Sequence, residues 1–110
     1  MINIAIIGAS GYTGAQMCQL IEQHDQLNLT GIYVSENSLD KGKNINELYP
    51  HLVHEVSATL IPLTEKSFSD IYANNQAVVL ATSHEVSHDV APQLLAAGLS
   101  VFDLSGMEVF

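Results

Sequence analysis

A chain of 110 residues with three lysines, no arginine and twelve acidic groups carries a formal charge of −9, and that balance excludes whole classes of partner. Nucleic acid and anionic membrane surfaces are held by many Lys and Arg side chains that neutralise phosphates, and these are lacking here. The length fits one domain, and a single cysteine rules out an internal disulfide and suits a reducing, cytoplasmic setting. A small anion remains compatible if backbone N–H groups and one or two local lysines hold it. The N-terminus has no basic segment and its apolar run stops at Gly8, unlike a secretion signal. No stretch reaches the length of a membrane span.

In chain order, INIAII (Ile2–Ile7) is short, β-branched and ended by glycine, as a buried strand is. A helix is expected from Tyr12 to His24, with Gly14, Met17, Cys18 and Ile21 on one face at i, i+3, i+4 and i+7. NLTGIYV (Asn28–Val34) forms the second strand, and the polar stretch from Ser35 to Lys43 is a loop. INELYPHL holds a short helical turn before Pro50. A third strand follows at Ala58–Leu63, and a short helix around Phe68–Tyr72. QAVVLAT (Gln76–Thr82) is the clearest central strand. HDVAPQLLAAG then reads as a helix closed by Gly98, and SVFDLS (Ser100–Ser105) as a fifth strand. Strands alternating with helices predict an α/β fold: a parallel, Rossmann-like sheet of about five strands with helices on both faces.

The segment GASGYTG follows the first strand and opens the first helix, the setting in which a glycine loop receives a diphosphate. Gly8 allows the sharp exit from the strand. Gly11 lets an anion approach the amides of a helix N-terminus, where the helix dipole favours negative charge. Gly14 brings the helix close to the sheet. Ser10 and Thr13 add hydroxyl donors. The spacing is G-x-x-G-x-x-G rather than the commoner G-x-G-x-x-G, and a tight turn without a ligand is the alternative. NAD-specific folds place an acidic residue at the end of the second strand, on the ribose 2′-hydroxyl. Here Ser35 stands at that end, with Glu36 one place later and pointing to the opposite side if the strand persists. Ser35, Ser38 and the pair Lys41 and Lys43 therefore favour a 2′-phosphate, and so NADP; a solvated loop is the alternative.

HEVSH (His84–His88) fits the H-E-x-x-H pattern of zinc hydrolases, which requires both histidines on one helix. Pro92 argues for a helix that starts nearer Ser87 and leaves His84 in a loop. A third ligand would have to be Glu108. No metal site is expected. His84 sits instead at the carboxyl end of the fourth strand, either beside the cofactor groove or as a solvated loop residue. Cys18 shares the core-facing stripe and is read as packing, not as a nucleophile.

GASGYTG, VSENSLDKGK, LYPHL, LATSHEVSHDVAPQLLAAG and VFDLSG, in that order, resemble the N-terminal cofactor domain of the N-acetyl-gamma-glutamyl-phosphate reductases, from Met1 to about Gly106. The glycine motif alone is shared with aspartate-semialdehyde dehydrogenases. The resemblance implies NADPH-dependent reduction of an acyl phosphate to an aldehyde through a cysteine thioester. It places Ser10, Gly11, Tyr12 and Thr13 on the pyrophosphate, Ser35 and Ser38 on the adenosine ribose, and Ala81, Thr82 and His84 near the nicotinamide. The nucleophilic cysteine and its histidine partner belong to a second α+β domain that these residues do not include. The chain is thus expected to be a single NAD(P)-binding domain, residues 1–110, that binds cofactor without catalysis. A stand-alone nucleotide-binding or regulatory module, or a domain of an aspartate-semialdehyde-dehydrogenase-like enzyme, is the alternative. The sheet edge at the fifth strand is expected to promote self-association.

Overall fold

The computed structural model describes residues 1–51 and 58–105. Five parallel strands, β1 (Ile2–Ile7), β2 (Leu27–Val34), β3 (Leu60–Pro62), β4 (Ala77–Leu80) and β5 (Ser100–Asp103), form one sheet in the order β3-β2-β1-β4-β5. The direction of winding reverses between β1 and β4, so the loops after these two strands diverge and leave a crevice at their carboxyl ends.

The period-two alternation of the strands divides the core into two layers. Ile4, Ile6, Ile32, Val34, Ala77 and Val79 face one side and pack with Ala15, Cys18 and Ile21 of helix α1 (Tyr12–Gln23) and Ile45 of the short helix α2 (Ile45–Leu48). Ala5, Ile7, Tyr33, Val78 and Leu80 face the other, beneath Ile71 of α3 (Glu65–Asn74) and Val90 and Leu94 of α4 (His84–Ala96). Helices therefore cover both faces, as the alternation of elements predicted. Burial of each large aliphatic side chain contributes about 1.5–3 kcal/mol.

Most elements stand where the sequence put them, with ends moved by local chemistry. β3 is three residues rather than six. α3 begins three residues earlier than Phe68 because Thr64 caps it, its side chain accepting from the Ser67 N–H at 3.3 Å. Gly98, at φ +88, follows the last turn of α4, and the Leu99 N–H returns to the Leu94 carbonyl at 3.2 Å, as expected of a helix-closing glycine. α4 itself is the correction. It begins at His84, not near Ser87, because Ser83 caps it by accepting from the Val86 N–H at 3.4 Å. Pro92 lies inside the helix and leaves the His88 carbonyl without its usual amide donor, at a cost of about 3 kcal/mol. His88 is exposed, and the buried residues Val90 and Leu94 anchor the helix on either side of the proline. No helix among the described residues is long and apolar enough to cross a membrane.

Cys18 is fully buried on the α1 stripe. Burial pushes its thiol up to about 12, with repulsion from Glu22 adding to the effect. In native protein at pH 8, Cys18 should react with a thiol reagent far more slowly than in urea-unfolded protein. An unfolded thiol ionises near pH 8.5–9, so between there and about 12 the unfolded chain releases a proton that the native chain keeps. Stability should accordingly fall as pH rises above about 9, and urea midpoints for Cys18→Ala should show a smaller alkaline loss than those for the unsubstituted chain.

Candidate functional site

At the carboxyl ends of β1, β2 and β4 lies a cavity of about 590 Å³, within the range of small-ligand sites. Its walls come from the glycine loop (Gly8, Ser10, Gly11), the segment after β2 (Ser35, Glu36, Asn37) and the turn into α4 (Ala81, Thr82, Ser83), with Leu63 and Val86 supplying apolar surface.

The loop is built from the backbone outward. The N–H groups of Gly8 and Ala9 both donate to the Tyr33 carbonyl, at 2.8 and 3.1 Å, which turns the chain sharply off β1. Gly8 has φ +90, and a Cβ there would stand 2.6 Å from the Ala81 carbonyl oxygen. Gly14 must lack a side chain because a Cβ would come within 2.6 Å of the Gly8 carbonyl oxygen and 2.8 Å of the Ala9 Cα. Gly11 is different. Its φ is −80, which any residue adopts, and the nearest atom to a Cβ would be the Gly8 carbonyl oxygen at 3.9 Å. Nothing among the described residues demands a glycine there.

The electrostatics follow from what α1 leaves open. Asn44, Thr64 and Ser83 cap α2, α3 and α4 with their side chains, whereas no side chain caps α1 at Gly11. The first backbone bond of α1 runs from the Ala15 N–H to the Gly11 carbonyl at 2.9 Å. The amides of Tyr12, Thr13 and Gly14 precede it, at the positive end of the helix dipole.

Of the residues singled out from the sequence, Gly8, Ser10, Gly11, Ser35, Ala81 and Thr82 line this cavity together. Tyr12, Thr13 and Gly14 form the first turn of α1 beside it. Ser38 does not line it; its hydroxyl accepts from the Asp40 N–H at 3.1 Å within the loop. Both lysines of the pair are engaged locally, Lys41 Nζ donating to the Glu36 carbonyl at 3.1 Å and Lys43 pairing with Asp40 at 3.2 Å. Glu36 does not turn to the opposite side. β2 ends at Val34, so the alternation stops before Glu36, and this residue lines the same cavity as Ser35.

His84 stands apart, in a depression of about 340 Å³ shared with Glu85, His88 and Asp89. Its ring stacks on His88 with centroids 6.5 Å apart, and its Nδ1 lies 3.4 Å from the Ser105 hydroxyl. Asp103 is held below the ordinary carboxylate range by the backbone N–H and then the hydroxyl of Ser105, with the Ser87 hydroxyl and His84 adding to the effect. The H-E-x-x-H pair is therefore helical after all, but no group of three His, Cys, Asp or Glu side chains among the described residues is placed to hold a metal. Glu108, the third ligand that reading needs, lies outside the described residues.

Thr82 and Ser83 build the entry to α4, with Thr82 Oγ1 2.7 Å from the buried Ser87 hydroxyl. One contributor was not singled out from the sequence. Tyr49, 39 residues beyond the glycine loop, donates its hydroxyl to the Ser10 carbonyl at 2.6 Å.

Residues 3–108 match the family model described as semialdehyde dehydrogenase, NAD binding domain. The chain belongs to that family. It is 55% identical over 106 residues to N-acetyl-gamma-glutamyl-phosphate reductase of Shewanella oneidensis, covering 96% of this chain and 32% of that protein. The chain thus spans about a third of the length of the curated relatives it matches. Among solved structures it resembles aspartate semialdehyde dehydrogenase II of Vibrio cholerae, with a TM-score of 0.70 at 22% identity over 94% of this chain and 30% of that one. It also resembles the aspartate semialdehyde dehydrogenase of Candida albicans solved with NADP, with a TM-score of 0.68 at 16% identity over 94% and 29% of the two chains. These two likenesses bear on the fold, and they agree with the Rossmann-like sheet.

The glycines separate two roles that one motif conceals. Gly8→Ala should destabilise the fold by at least about 2 kcal/mol in urea unfolding, because it adds φ strain to a backbone clash. Gly11→Ala should cost less than about 1 kcal/mol, as an Ala for Gly exchange at a helix N-cap does.

Proposed function

We propose that this chain is the dinucleotide-binding part of an N-acetyl-gamma-glutamyl-phosphate reductase and that it holds NADP(H). The observation that carries the reading is the uncapped first turn of α1, which opens beside a cavity at the strand ends next to an uncrowded Gly11. In this reading the pyrophosphate lies against the amides of Tyr12, Thr13 and Gly14 and the hydroxyls of Ser10 and Thr13. Ser35 faces the adenosine ribose, and Ala81 and Thr82 border the nicotinamide, with His84 just beyond. A bound NADPH supplies hydride to an acyl carbon, and the whole enzyme would reduce an acyl phosphate to a semialdehyde with release of phosphate.

Within these 110 residues the only thiol is Cys18, buried and with its ionisation pushed up to about 12, so it cannot form the thioester this chemistry uses. Binding without turnover is the activity proposed for the chain as it stands, in a cytoplasmic setting. β5 forms one edge of the sheet and carries Phe102, 55% exposed, which supports self-association through that edge.

The position of Glu36 favours a second reading for the cofactor. A carboxylate lining the cavity just past β2 suits a ribose 2′-hydroxyl and opposes a 2′-phosphate, so it favours NAD(H).

The chain has no tryptophan, so titration by NADPH fluorescence is free of a competing indole signal. Saturable binding, tighter for NADPH than for NADH, is expected. The reverse order would assign Glu36 to the ribose hydroxyl, and no binding of either dinucleotide would end the proposal. Gly11→Ala should weaken binding at least tenfold while the protein stays folded, because its methyl group would occupy the approach to the amides.

A further inference from the structure

We infer that Tyr49 is a positioning residue that sets the orientation of the glycine loop for its anion; the inference rests on the dinucleotide reading above. Tracing where the loop's backbone groups are satisfied leads to it. The Gly8 and Ala9 amides go to the Tyr33 carbonyl, and the Gly11 amide points back to the Gly8 carbonyl at 3.4 Å. The peptide joining Ser10 to Gly11 is then fixed at its other end by a single bond, the Tyr49 hydroxyl donating to the Ser10 carbonyl at 2.6 Å. Without it, only the long 3.4 Å bond from the Gly11 amide to the Gly8 carbonyl opposes rotation of that peptide. A rotated Ser10 carbonyl would turn a lone pair toward the space where α1 presents its free amides, and a carbonyl oxygen there repels an anion.

Tyr49 is well placed for this task and badly placed for direct contact. It follows α2, where Asn44 and Glu47 form a capping box and Ile45 is fully buried in the core. The Tyr49 N–H closes that turn on the Ile45 carbonyl at 3.2 Å, so its backbone is held by the core rather than by the loop. Its ring meets Tyr12, the first residue of α1, edge-on, with centroids 6.3 Å apart at 70°. Tyr49 lines a separate cavity of about 440 Å³ with Tyr12, Pro50 and His51, and not the 590 Å³ cavity at the strand ends. It acts on the ligand only through Ser10.

The test is Tyr49→Phe, which keeps the ring and removes the one hydroxyl. NADPH carries the diphosphate, whereas adenosine 2′-monophosphate occupies only the adenosine end. The variant should bind NADPH about three- to tenfold more weakly, as expected for loss of one hydrogen bond. Its affinity for adenosine 2′-monophosphate should change less than twofold. In the free protein, the amide resonances of Gly11 and Tyr12 should shift while those of β5 do not. A merely structural role would weaken both ligands alike. Equal weakening, or unchanged NADPH binding with unmoved Gly11 and Tyr12 resonances, would overturn the inference while leaving the dinucleotide reading intact. Failure of the unsubstituted chain to bind NADPH and NADH would remove both.

Discussion

One carbonyl oxygen organises the functional end of this molecule. Tyr33, near the end of β2, accepts the amide hydrogens of both Gly8 and Ala9. These two hydrogen bonds to one acceptor turn the chain off β1 at φ +90, an angle that strains an L-residue with a side chain and that glycine adopts freely. Across the switch point the Ala81 N–H donates to the Ile7 carbonyl at 2.8 Å, bringing the end of β4 so close to Gly8 that no Cβ fits between them. The loop is thus wedged between two strands before any ligand is considered. The start of α1 follows from that wedge, because the chain has only Ala9 and Ser10 in which to reach Gly11.

This geometry explains how so acidic a chain can offer an attractive site to an anion. With a formal charge of −9, the mean field of the surface repels phosphate. Lys41 and Lys43 do little to reverse that, since one is tied to a carbonyl and the other to a carboxylate. What remains is local and short-ranged: three amides at a helix terminus, uncapped by any side chain, beside a cavity with apolar walls from Leu63 and Val86. Helix-end partial charges fall off within a turn, so they act on a group in contact and leave the long-range repulsion of other polyanions in place. Long-range repulsion of polyanions and the proposed hold on one diphosphate are compatible for that reason.

The sheet and its order of elements were legible because the strands are short, apolar and bounded by glycine or polar residues. The roles of Gly8 and Gly14 were legible because each follows from the strand–turn–helix context. The start of α4 was not. A proline at position 92 argued for a late start, but the Ser83 cap and the packing of Val90 and Leu94 outweigh one lost backbone bond. The side that Glu36 faces was not legible, because it depends on where β2 stops pairing with β3, at Val34. Tyr49 could not be seen at all. Its bond spans 39 residues, and no local pattern encodes a partner at that distance.

HEVSH shows how the same five residues serve two different architectures. A zinc hydrolase needs two histidines one turn apart and a third ligand brought in from elsewhere. Here the first requirement is met, since His84 and His88 stack on the opening turns of α4. The neighbouring chemistry is of another kind. Ser87, between them, is buried and lies 2.7 Å from Thr82, so the inward face of this turn closes the β4-to-α4 connection. His84 reaches toward Ser105, which in turn donates its N–H to Asp103 at 2.8 Å and ties the end of β5 to the start of α4. The spacing of two histidines records helical periodicity, whereas the role of the segment is set by the hydroxyls that intervene, and in this fold those hydroxyls brace the wall of the cavity.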